Sequence, residues 1–315
     1  DSPINDFDLT VVGNAINLAK NISNNSNATV KIHERFITAT LSWDDFSCDL
    51  VTARSEIYST EGSLPIVTPA TIQSDLIRRD FSINAMACSI NQNDFGNLVD
   101  PINGIEDINN QLIRILHPKS FLDDPTRIIR ALRYAAKFKF KFENETANKL
   151  QTAIEDKKLE LVSKERIRNE LWKTFREKES LEIIAFFQKY KIFEGIFPPL
   201  QNIYFSQINN LFKKKNITTD TILDYIGYSL NKNECINFVR KLNLNKNLKN
   251  RLLNINAIKE YEKNGTSTTK LRSILNRLKL NITSIENLIS FSAKNTKVKT
   301  EMLKYYQELK QTLCQ

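Results

Sequence analysis

The sequence predicts an α+β fold: a small α/β head followed by an all-helical neck, body and tail. Three observations predict it. Stretches with strand character, bounded by turn signals, are confined to the N-terminal third. From about residue 106 onward apolar residues recur at helical spacing and nothing reads as a strand. Charge is divided along the same axis: residues 201–315 hold 20 Lys+Arg against 8 Asp+Glu, a balance of +12, whereas the whole chain carries +9, leaving −3 for residues 1–200. A basic C-terminal half on a near-neutral N-terminal half suits either a polyanionic partner or a set of solvated, lysine- and asparagine-rich helices.

The head opens with Asp6-Phe-Asp-Leu-Thr-Val-Val-Gly13, a strand ending at a glycine turn. Asp6 and Asp8 are two apart and share a face of that strand. Like charges side by side repel, so such a pair belongs either at a solvated sheet edge or around a cation, and oxygen ligands of this kind suit Mg²⁺. A short helix is expected over Asn14–Ile22, then strands over Thr29–Ile32, Phe36–Trp43 and Phe46–Ala53, with Asp44-Asp45 as a hairpin turn. The last of these carries Asp49, a third acid for a metal site if the sheet brings it beside Asp6 and Asp8. Residues 54–72 contain Gly62, Pro65 and Pro69, lack a period, and are expected to form a functional loop. Next comes Arg78-Arg79-Asp80, with Asn84 four residues on; adjacent arginines followed by an acid suit a phosphate and a ribose hydroxyl, or a solvated charged turn. Asp100-Pro101 and Asn103-Gly104 are turn signals.

The most informative helix runs from Asp124 to Lys137. Pro125 fits its first turn, and Ile128, Ile129, Leu132 and Ala136 give it a core-facing stripe. Asp124, Arg127, Arg130 and Arg133 recur every third residue, which puts one carboxylate and three guanidiniums along the other face. Three arginines with a single acid repel one another unless an anion such as a triphosphate or an RNA backbone sits nearby. Further helices are expected as far as Leu313, and Trp172, Phe175, Phe186, Phe187, Phe193 and Phe197 are expected in the core.

Composition excludes several classes. No apolar run approaches the roughly 18 residues of a membrane helix, and no signal peptide is seen at the start. Cys48, Cys88, Cys235 and Cys314 form no CxxC pair, which argues against a disulfide framework or a zinc site and suits a reducing compartment. With only His33 and His117, histidine-based triads and metal sites are disfavoured.

In series these motifs resemble the class II tRNA nucleotidyltransferase/poly(A) polymerase family. The matching segments are Asp6 to Gly13, His33-Glu-Arg-Phe-Ile-Thr-Ala39, Asp49 to Tyr58, Gly62-Ser-Leu-Pro65, Asp75-Leu-Ile-Arg-Arg-Asp-Phe-Ser-Ile-Asn-Ala-Met-Ala87, Leu98-Val-Asp-Pro-Ile-Asn-Gly104, Asp123 to Ala136 and Ser163-Lys-Glu-Arg-Ile-Arg-Asn-Glu-Leu171. They cover residues 1–175 in the family's order. The resemblance implies a catalytic head (1–115), a nucleotide-recognising neck (116–178), a body (179–250) and a tRNA-binding tail (251–315). It implies Asp6, Asp8 and Asp49 as catalytic Mg²⁺ ligands. Arg79, Asp80, Asn84, Asp124, Arg127, Arg130 and Arg133 become nucleotide-binding residues, with Asp124 and Arg127 reading the incoming base. The implied activity is cytoplasmic addition of C and A to the tRNA 3′ end from CTP and ATP, by a monomer. Addition of CC alone, of A alone, poly(A) synthesis and RNA binding without catalysis are the alternatives. The family's Gly-Gly and Arg-Asp segment, which helps cradle the triphosphate roughly 25 residues before Asp6, lies outside this sequence. Ile37 stands where the family commonly has glycine, and a β-branched residue there implies a backbone without positive φ.

The basic surplus of the C-terminal half predicts RNA binding that weakens with salt. Affinity for a tRNA transcript, measured by filter binding, is expected to fall at least tenfold between about 50 and 200 mM salt; a flat affinity would assign the lysines to solvated helix faces.

Overall fold

Alternation with a period of two separates a core face from an outer face in the first four strands. In the computed structural model, which describes residues 6–212, 217–264, 267–278, 282–292 and 296–313, these are β1 (Asp6–Val11), β2 (Thr29–His33), β3 (Thr38–Ser42) and β4 (Ser47–Thr52), with α1 (Ala15–Asn24) between β1 and β2. The sheet order is β1-β4-β3-β2; β1 runs parallel to β4 and the other neighbours are antiparallel. Ala39, Leu41, Cys48 and Leu50 alternate onto one face, where Ala15 and Ala19 of α1 pack with Leu9 and Val11. Thr52 Oγ1, almost fully buried, accepts from the Ala15 N–H (3.1 Å) and pins the start of α1 to the sheet.

Ile37 corrects the sequence expectation. It takes φ 54°, ψ 48°, the left-handed conformation, despite its branched Cβ. Its N–H closes the preceding turn on the Glu34 carbonyl (3.1 Å) and its own carbonyl accepts from Thr52 N (3.1 Å), so both sides of the peptide are held.

Residues 54–72 also differ from the loop expected. β5 (Arg54–Ile57) and β6 (Ile66–Pro69) pair antiparallel, leaving 58–65 as the connection, and α2 (Ile72–Ile77) follows with Thr71 as its N-cap. Ile57 and Ile66, which face each other in the register, are both more than 60% exposed, so no burial alternation marks the pair in the sequence. Next come β7 (Ala87–Cys88), β8 (Leu98–Val99), α3 (Gly104–Asn109), β9 (Leu112–Ile113), α4 (Ser120–Asp123), α5 (Thr126–Phe138), β10 (Lys141–Phe142) and α6 (Asn144–Glu155). β9 and β10 pair in parallel, contrary to the expectation of no strand beyond residue 106; two residues are too few to show a period. The turn before α3 explains its sequence. Asp100 accepts from the N–H groups of Gly104 (2.7 Å) and Ile105 (3.0 Å), and a Cβ at Gly104 would lie 2.4 Å from the Ser82 carbonyl oxygen.

The chain divides into two units, the first comprising residues 1–127 and 139–153, the second 128–138 and 154–315. The second is helical: α7 (Lys164–Arg176), α8 (Ser180–Lys189), α9 (Ile192–Ile196), α10 (Ser206–Leu211), α11 (Thr219–Ser229), α12 (Lys232–Lys241), α13 (Lys246–Asn264), α14 (Thr268–Leu278), α15 (Ile282–Phe291) and α16 (Thr296–Leu313). Phe175, Phe187, Phe193 and Phe197 are buried there, as their apolar spacing predicts, whereas Trp172 and Phe186, also expected in the core, are half-buried. One polar knot ties α11, α13 and α15 together. Fully buried Asp224 accepts from Arg251 Nε (2.7 Å) and Nη2 (2.8 Å) and from Asn287 Nδ2 (2.9 Å). Burial pushes the Asp224 carboxyl up and these donors pull it back. Among the described residues the cysteines form no disulfide; Cys314 lies outside them.

Replacing Ile37 by glycine removes a left-handed penalty of about 1–2 kcal/mol, offset by about 0.5–1 kcal/mol of extra chain entropy. Ile37→Gly is therefore expected to stabilise the protein by up to about 1 kcal/mol, read as a raised Tm; a lowered Tm would mean that the isoleucine side chain contributes more than its backbone costs.

Candidate active site

The outer face of the sheet carries the acids. In the β1–β4 register Asp6 lies opposite Ser47, and Asp8 lies opposite Asp49. The Asp8–Asp49 pair lies on the face opposite the one that buries Leu50, as strand alternation requires. Asp8 is exposed and Asp49 half-buried; Asp49 Oδ1 accepts from Thr40 Oγ1 of β3 at 2.5 Å. The side chain of Asp6 lies outside the described residues. No group of three or more metal-ligating residues closes around one point among the described side chains. The donor chemistry nevertheless fits a hard divalent cation: two carboxylates on adjacent strands, oxygen only, on an accessible face.

Arg79 is drawn toward that face. Its Nη2 donates to Asp75 Oδ2 (3.2 Å) and lies 3.5 Å from Oγ1 of Thr10, a residue sharing the face of Asp8. Its Nε is buried with no hydrogen-bond partner among the described residues. Asp80 and Asn84 sit beside it as a turn: Asp80 Oδ1 accepts from Phe81 N (3.0 Å) and from Asn84 Nδ2 (3.1 Å).

Sequence reasoning missed the group that holds the arginines. Asp75 is fully buried. It accepts from the Arg54 N–H (3.1 Å), from Arg78 Nε (3.1 Å) and Nη2 (2.6 Å), and from Arg79. Glu56 on β5 takes the other end of Arg78 (2.7 Å) and the Tyr58 hydroxyl (2.9 Å). Burial, then the neighbouring Glu56, raises the Tyr58 phenol, so it stays protonated and donates. Burial and Arg78 lower Arg54. The one available signal was the spacing of Asp75 and Arg79, four apart, with Arg79 just beyond the end of α2.

Asp124 precedes α5 rather than opening it. Its Oδ1 accepts from Thr126 N (2.9 Å) and Oγ1 (2.6 Å), so the acid caps the helix. Arg127 is buried at 5% exposure; Nη1 donates to Ser120 Oγ (2.7 Å) and Nη2 to the Arg78 carbonyl (2.8 Å). The structure therefore links the Arg78-Arg79-Asp80 segment to Arg127 within the first unit. In the second unit Arg130 donates to the Tyr134 hydroxyl (3.0 Å), while buried Arg133 pairs with Glu170 (2.7 Å).

Comparison with known proteins agrees with these features. The family described as the poly A polymerase head domain matches residues 1–114, and the probable RNA and SrmB-binding site of polymerase A matches residues 139–203. The A-adding tRNA nucleotidyltransferase of Aquifex aeolicus is 41% identical over 196 residues, 62% of this chain and 24% of that protein. That of Halalkalibacterium halodurans is 44% identical over 173 residues, 54% of this chain and 40% of that protein. The chain thus spans less than half the length of these curated relatives. A tRNA nucleotidyltransferase solved with a primer tRNA and an incoming ATP analog superposes with a TM-score of 0.71 at 27% identity, over 100% of this chain and 92% of that one. A tRNA-processing enzyme in an apo form reaches 0.73 at 28% identity, over 98% of this chain and 82% of that one. Residues 1–114 thus match the poly A polymerase head domain, and the chain resembles solved tRNA nucleotidyltransferases over its length.

Proposed function

We propose that this chain adds C and/or A to the 3′ end of tRNA, without a nucleic-acid template, using CTP and ATP and releasing pyrophosphate. The observation that carries the reading is Asp8 set against Asp49 on one sheet face, with Arg79 beside Thr10 of that face. The reaction needs a 3′-hydroxyl aligned on an α-phosphate and no covalent nucleophile, which suits a site of carboxylates and arginines. Mg²⁺ held by Asp8, Asp49 and Asp6 would neutralise charge on the reacting phosphate and acidify the hydroxyl. Arg79 is assigned to the phosphates, its partnerless Nε being a donor left over for a ligand. Asp80 and Asn84 are assigned to the nucleotide as neighbours of Arg79.

Base choice is assigned to Asp124 and Arg127. A carboxylate accepts from the exocyclic amine of C or A and repels the carbonyl that G or U presents there; a guanidinium donates to ring or carbonyl acceptors. Arg127 has five N–H donors, and its named acceptors leave some for a base edge. Arg130 and Arg133 are assigned nucleotide contacts on the family resemblance alone. Residues 116–178 are read as the selecting neck, and the body (179–250) and basic tail (251–315) as the tRNA-binding part. The reading implies a cytoplasmic monomer; no helix among the described residues is long and apolar enough to cross a membrane. Two relatives named A-adding favour addition of A alone as the second reading.

Extension of three tRNA transcripts, ending before CCA, after C and after CC, with Mg²⁺ and CTP, ATP or both, tests this. Completion of all three establishes CCA addition. A single A added only to the CC-ended transcript establishes A addition. No extension of any would leave an RNA-binding protein. In an active enzyme Asp8→Ala is expected to lower the rate by at least a hundredfold with tRNA affinity nearly unchanged, and Asp124→Ala to admit GTP or UTP. Equal loss of rate and affinity, or unaltered base choice, contradicts these roles.

A further inference from the structure

Arg127 sits in a cradle of three uncharged acceptors. Nη1 donates to Ser120 Oγ at 2.7 Å and lies 3.5 Å from His117 Nε2, and Nη2 donates to the Arg78 carbonyl at 2.8 Å. Ser120 is fully buried on α4, so its hydroxyl has no solvent to turn to. His117 accepts at Nε2 only as the neutral imidazole carrying its proton on Nδ1, and that nitrogen lies 3.8 Å from Oδ2 of Asp123. The charged groups facing His117 are Arg127 from α5 and Asp123 from α4. Burial first and Arg127 second lower its pKa; Asp123 opposes them less strongly, so the ring is neutral at pH 7.

We propose that Ser120 and His117 are positioning residues that aim the Arg127 guanidinium, so that the choice of incoming base depends on an uncharged His117. The inference rests on the reading that Arg127 contacts that base. A guanidinium is a rigid planar fork, and fixing two of its nitrogens fixes the plane from which the remaining donors leave. Protonating His117 removes one acceptor and sets a second positive charge against Arg127. The fork then tilts toward Ser120 and the Arg78 carbonyl, and its remaining donors lose their aim. Selectivity is lost before the fold is, because Asp75 and Glu56 still hold the Arg78 guanidinium.

The test is the ratio of kcat/KM for ATP to that for GTP on a CC-ended tRNA transcript, followed from about pH 8 down to the pH at which NMR shows His117 protonated. In the wild type the ratio is expected to fall about tenfold or more as His117 gains its proton, the size expected when a buried guanidinium loses one acceptor. His117→Gln, which keeps a neutral acceptor, is expected to give a ratio that no longer follows pH. Ser120→Ala is expected to lower the ratio at every pH. A pH-independent ratio in the wild type, or a His117→Gln variant with the wild-type profile, overturns the proposal; a purely structural histidine would change Tm and leave the profile alone. An independent readout needs no activity. The chain has two histidines, so NMR can follow His117 directly, and in Arg127→Gln its pKa is expected to rise toward the ordinary value. An unmoved titration would overturn the contact. A wild-type protein that adds no nucleotide at any pH would instead overturn the proposed function, with the NMR titration still deciding the cradle.

Discussion

Two carboxylates held side by side set the terms for the head. β1 and β4 run parallel, and their register puts Asp8 directly against Asp49, at the roughly 4.8 Å spacing of neighbouring strands. Like charges on neighbouring strands oppose folding unless a cation or solvent offsets them. The same alternation that buries Leu9 and Leu50 beneath α1 leaves no other face for the acids. The hydrophobic core and the charged face are therefore one decision: a slip of one residue in β4 would bury Asp49 and expose Leu50.

The arginines are organised by acids of a different kind. Asp75 and Glu56 are almost wholly buried and hydrogen-bonded on several sides, the condition under which buried charge is tolerated. Between them they engage Arg54, Arg78 and Arg79, and the Arg78 carbonyl reaches Arg127. This guanidinium cluster, with its carboxylate partners, belongs to the same unit as the acid face. A polyphosphate accompanied by a divalent cation satisfies both halves of that arrangement.

Much of this was legible in the sequence, and the reasons differ by residue. The Asp-x-Asp strand, the Asp49 strand and the helix beginning near Asp124 follow from periods of two and 3.6, which survive in any sequence with one buried face. The helical body followed from the same periodicity, and its buried phenylalanines lie where the apolar spacing put them. What stayed hidden depends on pairing across distance or on backbone. β5 and β6 pair through exposed isoleucines and a proline, so no pattern announces them. Asp75 resembles any helix-surface acid until Arg54, Arg78 and Arg79 converge on it. Ser120 and His117 precede the helix they support and carry no spacing signal at all. Ile37 adopts positive φ because hydrogen bonds on both sides of its peptide outweigh its side-chain preference, a balance that propensity alone misjudges.

The account stands on the carboxylate pair, and thermal unfolding with and without Mg²⁺ tests it most directly. If Asp8 and Asp49 repel until a cation joins them, Mg²⁺ raises the wild-type Tm, Asp8→Asn raises the Tm in chelator, and that variant loses most of the Mg²⁺ response. A variant destabilised in chelator that keeps the full wild-type response to Mg²⁺ would contradict a cation site between β1 and β4.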